Sequence, residues 1–220
     1  ATNQVARLIK KIDPYHPVGS CLGDRFSDKD PRNTIKWILK ACSKVEIWGL
    51  NIYRGKDFGD LFTQWQSITD KPMFLSEFGI DSFETISYKR VNDFQAVECK
   101  GSENQKVQAG YAISLWQDIV MHLSAINPDE SCIGGTIHSL NDSLWKVGSY
   151  HVNLGGIINY YDPIEGASYD KYNSEGYYFP GSIPDSVVND EYHGIVDADR
   201  KPKQAYWGLK RLFDLTQRYY

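Results

Sequence analysis

The sequence predicts an α/β fold, a parallel sheet covered by helices that amounts to half of a (β/α)8 barrel. Three observations carry this. Four short segments, His16–Gly23, Val45–Tyr53, Lys71–Gly79 and Cys132–His138, are apolar on both faces, as strands inside a parallel sheet are. Stretches with helical periodicity separate them, the pattern of parallel strands joined by crossover helices. No G-x-G-x-x-G follows a strand and no Walker motif occurs, so a nucleotide-binding doubly wound sheet loses ground to a barrel. A complete barrel takes eight strands and about 250 residues. Four strands in 220 residues make about four βα units.

Each element has a local cause. Val5, Leu8, Ile9 and Ile12 recur at helical spacing, and Asp13-Pro14 ends that helix. His16–Gly23 follows as a short buried strand. The next helix spans Asn33 to Ser43; Pro31 and Asn33 open it, and Ile35, Ile38, Leu39 and Cys42 line one face. Val45–Tyr53 is the second strand. Leu61, Phe62, Trp65 and Ile68 mark a third helix, and Lys71–Gly79 a third strand. A long polar insertion runs from about Asp81 to Asn104. The helix after it carries Ile113, Trp116, Val120 and Leu123 and leads to the fourth strand. From Asn141 to Asn189 the chain is rich in Gly, Tyr, Asn and Asp. It reads as an extended loop, of a length that is usually functional or disordered. A last helix from about Lys203 turns Tyr206, Leu209, Leu212 and Phe213 inward.

Hydrophobic residues make up 41% and charged residues 24%, a globular composition that excludes intrinsic disorder. With 24 Lys+Arg against 28 Asp+Glu there is no basic footprint for nucleic acid. No apolar run nears the roughly 20 residues that span a bilayer, so neither nucleic acid nor a membrane is an expected partner. The length suffices for a core without a disulfide or metal staple. Cys21, Cys42, Cys99 and Cys132 lack short metal-type spacing. Cys42 on an apolar helical face and Cys132 entering an apolar strand read as buried free thiols. The aromatic content, with 15 Tyr and 6 Trp, suits both a large core and a cleft that holds sugar rings. The chain starts Ala1-Thr2-Asn3, without an initiator Met or a signal peptide, so a processed or truncated N-terminus is expected.

In a parallel barrel the reactive side chains stand at the C-terminal ends of the strands. The second strand ends in Asn51 and Tyr53 and the third in Glu77; the fourth runs into His138, Ser139, Asn141, Asp142 and Trp145. Glu77 is the most informative. It follows Met73-Phe74-Leu75, and a carboxylate at the end of a buried strand is costly to desolvate unless partnered. A carboxylate perturbed in this way is a candidate catalyst. A Glu that pairs with a nearby Lys or Arg, or caps the next helix, is the alternative. Tyr53 reads equally as a core ring with its hydroxyl at the rim. Trp145 reads equally as packing, and His138 as a core histidine.

Lys71-Pro72-Met73-Phe74-Leu75-Ser76-Glu77-Phe78-Gly79 resembles the KP-hydrophobic-x-x-E-[FY]-G strand of clan A retaining glycoside hydrolases. These include the family 2 β-glucuronidase and β-galactosidase group and the β-1,3-glucanosyltransferases. Other pieces agree in order. Ile12-Asp13-Pro14-Tyr15-His16-Pro17-Val18 is similar to the entry to the fifth strand, and Gly49-Leu50-Asn51-Ile52-Tyr53 to the sixth. The run from Gly134 to Lys146 is similar to the eighth strand. Asn189-Asp190-Glu191-Tyr192-His193-Gly194-Ile195 and Arg200-Lys201-Pro202-Lys203-Gln204-Ala205-Tyr206 are similar to the family's tail. The chain departs at His138, Ser139, Ser143 and Leu144, where the family usually carries aromatic or acidic residues.

The resemblance implies that residues 1–220 are a partial glycoside hydrolase catalytic domain: the C-terminal half of a TIM (β/α)8 barrel, strands five to eight, with the long loop 141–189. It implies retaining double displacement at O-glycosidic bonds of an oligosaccharide or polysaccharide, with Glu77 as nucleophile. Tyr53 would donate a hydrogen bond to Glu77, and Asn51, Asp142 and Trp145 would join Tyr53 as substrate-binding residues. No metal or organic cofactor is implied. The family's acid/base Glu follows an Asn at the end of the fourth strand, a segment that would lie before Ala1. A half barrel exposes sheet edges, so the expected partner is a missing N-terminal half, or another copy through self-association. A non-catalytic carbohydrate-binding or scaffolding relic of the same barrel is the alternative function.

Overall fold

The computed structural model describes residues 1–27, 29–92, 95–144, 149–152, 158–162, 185 and 188–216. In chain order the first elements are α1 (Thr2–Ile12), β1 (Gly19–Gly23), α2 (Pro31–Ala41), β2 (Ile47–Asn51), α3 (Leu61–Gln66) and β3 (Met73–Phe78). They are followed by β4 (Phe83–Asn92), β5 (Gln95–Glu103), α4 (Gln105–Met121), β6 (Cys132–Ile137), β7 (Ser149–Val152), β8 (Ile158–Asp162) and α5 (Gln204–Thr216). β1, β2, β3 and β6 form one parallel sheet in that spatial order. Each strand lies beside its predecessor after a helical crossover, as in successive βα units.

Local chemistry starts the helices. Asp30 caps α2 by accepting the backbone N–H of Asn33 at 3.3 Å, and Pro31 sits in the first turn, where no N–H partner is needed. The helix therefore begins two residues before the sequence pattern placed it. Asn104 caps α4 in the same way, accepting from the Val107 N–H at 3.2 Å. Between sheet and helices lies the main core. Trp48, Leu50, Met73 and Leu75 meet Ile35, Phe62, Trp65 and Ile119, all at most 2% exposed. Burying each such side chain stabilises by about 1.5–3 kcal/mol. Cys132 lies in this core, and burial pushes its thiol up to about 12. Cys42, at the C-cap of α2, packs against this core but is only half-buried.

Four expectations change. The first strand is neither as long nor as buried as its apolar sequence suggested. It is the edge of the sheet, paired only with β2 among the described residues, and Cys21 on it is exposed. The polar stretch after Asp81 is an antiparallel hairpin, with β4 and β5 paired from Phe83 opposite Glu103 to Asn92 opposite Gln95. Backbone ladders carry that pairing, so its side chains need show no apolar period. Inside the long loop, β7 and β8 also pair antiparallel; most of the rest of 141–189, Trp145 included, lies outside the described residues. On α5 the buried positions are Ala205 and Leu209, while Phe213 is 38% exposed. α5 docks through its first turns, where Gly208 lies so close against Ile113 that a Cβ would meet it at 2.7 Å. The last turn runs past this contact, where Phe213 meets Trp116 edge-on with ring centroids 4.6 Å apart.

Candidate active site at the strand ends

A break in the pleat of β3 aims Glu77. In strict alternation Glu77 would follow Met73 and Leu75 onto the helix-covered face. The register instead runs Leu50 opposite Leu75, then Asn51 opposite Glu77, so Ser76 is an extra residue. Such a bulge bends the strand and re-aims the side chains beyond it. Ser76 and Glu77 are consequently both half-exposed, and Phe78 returns to the core at 0% exposure. The ends of β2, β3 and β6 are stitched by backbone hydrogen bonds from Ile52 to the Glu77 carbonyl and from His138 to the Phe78 carbonyl, both 2.9 Å.

Tyr53, just past β2, donates its hydroxyl to Glu77 Oε2 at 3.0 Å. Its ring is held in a small apolar cluster with Ile80, Tyr111 and Val188, which fixes where the hydroxyl points. One layer below, the Ser76 hydroxyl donates to Asn51 Oδ1 at 2.6 Å, and the Thr136 hydroxyl donates to the Ser76 carbonyl at 2.7 Å. The Asn51 amide nitrogen is thereby the end turned away from Ser76. His138 and His193 lie beside Tyr53, with ring centroids 6.4 and 6.2 Å from it and 5.3 Å from each other. The His138–Ser139 peptide is cis.

Asp142 is placed differently from the other strand-end residues. Its side chain is 2% exposed and paired with Lys203 Nζ at 2.7 Å. Burial pushes its carboxyl up, against the opposing pull of the Lys203 ammonium. Lys203 also donates to Ser82 Oγ at 2.9 Å. The structure thus brings Asn51, Tyr53 and Glu77 together and sets Asp142 behind them in an ion pair. Beneath the β4–β5 hairpin, Asp81 accepts the backbone N–H groups of Phe83 and Asn189 at 3.0 and 3.3 Å. Burial, and then the charge of Asp185, push its carboxyl well above the usual carboxylate range. Among the described residues no group of three or more His, Cys, Asp or Glu could hold a metal ion.

Sequence reasoning missed Lys203, His193, Ser76 and Gln108. Gln108 is 1% exposed and its amide donates to the carbonyls of Ile80 and Gly194 at 3.2 and 3.1 Å, tying α4 to the tail segment. Nothing in one sequence separates such a Lys or Gln from a surface residue. The doublet Ser76-Glu77 after an apolar run was the one available hint of the bulge.

No protein family matches the sequence, and no curated protein does. Among solved structures the chain is similar to the GH2 β-galacturonidase from Eisenbergiella tayi bound to galacturonate. The TM-score is 0.51 at 20% identity, over 96% of this chain and 29% of that one. It is also similar to GH10 from Paenibacillus barcinonensis, with a TM-score of 0.50 at 14% identity, over 97% of this chain and 50% of that one. The likeness is one of fold. The chain has the α/β architecture of part of a TIM barrel, and it spans half or less of these structures' own length.

Proposed function

We propose that the chain is the part of a retaining glycosidase or transglycosidase that carries the nucleophile, Glu77. The observation that carries this is the Tyr53 hydroxyl on Glu77 Oε2 at 3.0 Å, at a bulged strand end where Glu77 faces outward. That bond orients the carboxyl group and leaves Oε1 for attack. In the first step an oxygen of Glu77 bonds to the anomeric carbon as the bond to the leaving oxygen breaks. A second carboxyl, about 5–5.5 Å away, protonates that oxygen. The same group then takes a proton from water as water releases the sugar, or from an acceptor hydroxyl in transfer. The second carboxyl is assigned to a segment preceding Ala1. Asn51, with its amide nitrogen turned from Ser76, is positioned to donate to a sugar hydroxyl. Asp142 supports the loop after β6 through Lys203. The substrate class is an oligosaccharide or polysaccharide.

Glu77→Gln in the protein extended upstream of Ala1 tests this. Turnover of an aryl glycoside should be abolished while the fold is kept; unchanged turnover rejects the reading. A second reading, carbohydrate binding without turnover, is favoured by one observation: His138, Ser139, Ser143 and Leu144 stand where the resembling family carries aromatic or acidic residues. Oligosaccharide binding by calorimetry with no turnover in the extended protein selects it.

A further inference from the structure

Tyr53 stands between two anchors at the end of β2. On one side the Ile52 N–H donates to the Glu77 carbonyl at 2.9 Å. On the other, Arg54 grips Asp24, just past β1, as a fork: Nε donates to Oδ2 at 2.7 Å and Nη2 to Oδ1 at 2.8 Å. The two side chains are 7% and 5% exposed. Arg54 Nη1 also donates to the Phe58 carbonyl at 3.1 Å, and the Phe58 N–H donates to Asp118 Oδ2 on α4 at 2.8 Å. The guanidinium lies over the Phe26 ring, 5.8 Å from its centroid, and Asp24 Oδ1 accepts the Phe26 N–H at 3.1 Å. One side chain thus joins the exits of β1 and β2 and, through Phe58, reaches α4.

The backbone beyond Tyr53 has little stiffness of its own. The residue after Arg54 is Gly55, at φ 109°, where glycine is the permissive residue. A buried ion pair seldom adds stability over an apolar pair of the same size. What a bidentate fork adds is geometry, since it accepts a carboxylate in one plane and one orientation. Geometry is what the neighbouring residue needs. The Tyr53 hydroxyl reaches Glu77 Oε2 at 3.0 Å, and a hydrogen bond is lost beyond about 3.5 Å. The apolar cluster of Ile80, Tyr111 and Val188 sets the direction of the ring, and the backbone position of residue 53 sets how far the hydroxyl reaches.

We propose that Arg54, oriented by Asp24, is a positioning residue: it holds the backbone at Tyr53 so that the hydroxyl stays within reach of Glu77. Neither Arg54 nor Asp24 is assigned a contact with the sugar. The consequence for catalysis rests on the reading of Glu77 as nucleophile; the positioning itself does not.

Tyrosine carrying 13C at Cζ reads the hydroxyl by NMR of the 220-residue chain. Among its 15 tyrosines, the Tyr53 signal is the one lost in Tyr53→Phe, and Glu77→Ala gives the position of that signal without the carboxylate. Arg54→Met should move it most of the way to the Glu77→Ala position. Arg54→Lys, which keeps the charge and loses the fork, should move it in the same direction. Asp24→Asn should do so too, and it keeps the comparison available where Arg54→Met does not fold. A merely structural pair would lower the unfolding midpoint and leave the Tyr53 signal of the folded chain in place, and that result overturns the proposal. In the protein extended upstream of Ala1, Arg54→Met should slow glycosylation of Glu77 by an activated fluorosugar about tenfold, with the half-saturating concentration unchanged. The slowing should fall below about twofold when Tyr53 is already Phe. Equal slowing in both backgrounds overturns the proposal, because Arg54 then acts elsewhere. No glycosylation in the wild type rejects Glu77 as nucleophile and leaves the NMR comparison to decide the positioning.

Discussion

Replacing Lys203 by Met isolates the ion pair behind the site. The Lys203 and Asp142 side chains are 1% and 2% exposed and meet at 2.7 Å. Nζ also reaches the Ser82 hydroxyl at 2.9 Å, the Tyr192 carbonyl at 3.5 Å and Glu103 at 4.0 Å. Met keeps the length of the stem but removes the charge and every donor, so Asp142 loses its ammonium partner, while the Tyr192 carbonyl keeps the Ser82 N–H at 3.0 Å. Breaking a buried ion pair from one side costs about 3–5 kcal/mol. Burial already pushes the Asp142 carboxyl up. In the variant that acid can take a proton instead of staying charged, which places the cost near the lower end, about 3 kcal/mol at pH 7. Urea denaturation followed by tryptophan fluorescence should show a lower midpoint with an unchanged slope. The loss should shrink as pH falls through the raised Asp142 pKa, because the wild type then protonates the same carboxylate and loses the pair. Asp142→Asn in the Lys203→Met background should recover part of the loss, with a coupling of about 0.5–3 kcal/mol. A loss under about 1 kcal/mol at pH 7, or one that does not vary with pH, would refute the reasoning.

Two further outcomes are expected. Tyr53→Phe removes a hydrogen bond to a charged group, worth about 1.5–3 kcal/mol, so glycosylation of Glu77 by an activated fluorosugar should slow about 10- to 100-fold. Intact-mass time courses on the upstream-extended protein measure it, and an unchanged rate removes Tyr53 from the mechanism. Asp81 is buried beside Asp185 and Glu191, and its folded pKa lies well above the usual carboxylate value. A folded pKa above the unfolded one, about 3.9, contributes stability that is complete below the unfolded value and lost as pH rises through the folded one. Unfolding free energy should therefore fall with rising pH across that window, and a slope that survives Asp81→Asn assigns it to other groups.

The repeated strands and helices were legible because each has a local cause. Met73-Phe74-Leu75 is apolar enough to be a buried strand wherever it lies, and its pattern alone marks it as one. The same reasoning misjudged β1, because the exposure of an edge strand depends on which neighbours are present. It also took the β4–β5 hairpin for a polar insertion. Pairing such as Phe83 opposite Glu103 is held by backbone groups, which leave no mark on side-chain pattern. At the site, Glu77 stood out because a carboxylate ended an apolar run. Asp142 looked like its neighbour in the same sense, and the structure gives it to Lys203, 61 residues away.

Hydrophobic periodicity, caps and breakers act over a few residues, so the order of amino acids by itself determined that this chain alternates strands and helices and ends one strand in Glu77. Only tertiary structure decided that Ser76 bulges out to turn Glu77 toward Tyr53, that Lys203 lies under Asp142, and that the apolar stripe of α1 faces outward. Those outcomes depend on contacts between distant segments, whose energies no local pattern records.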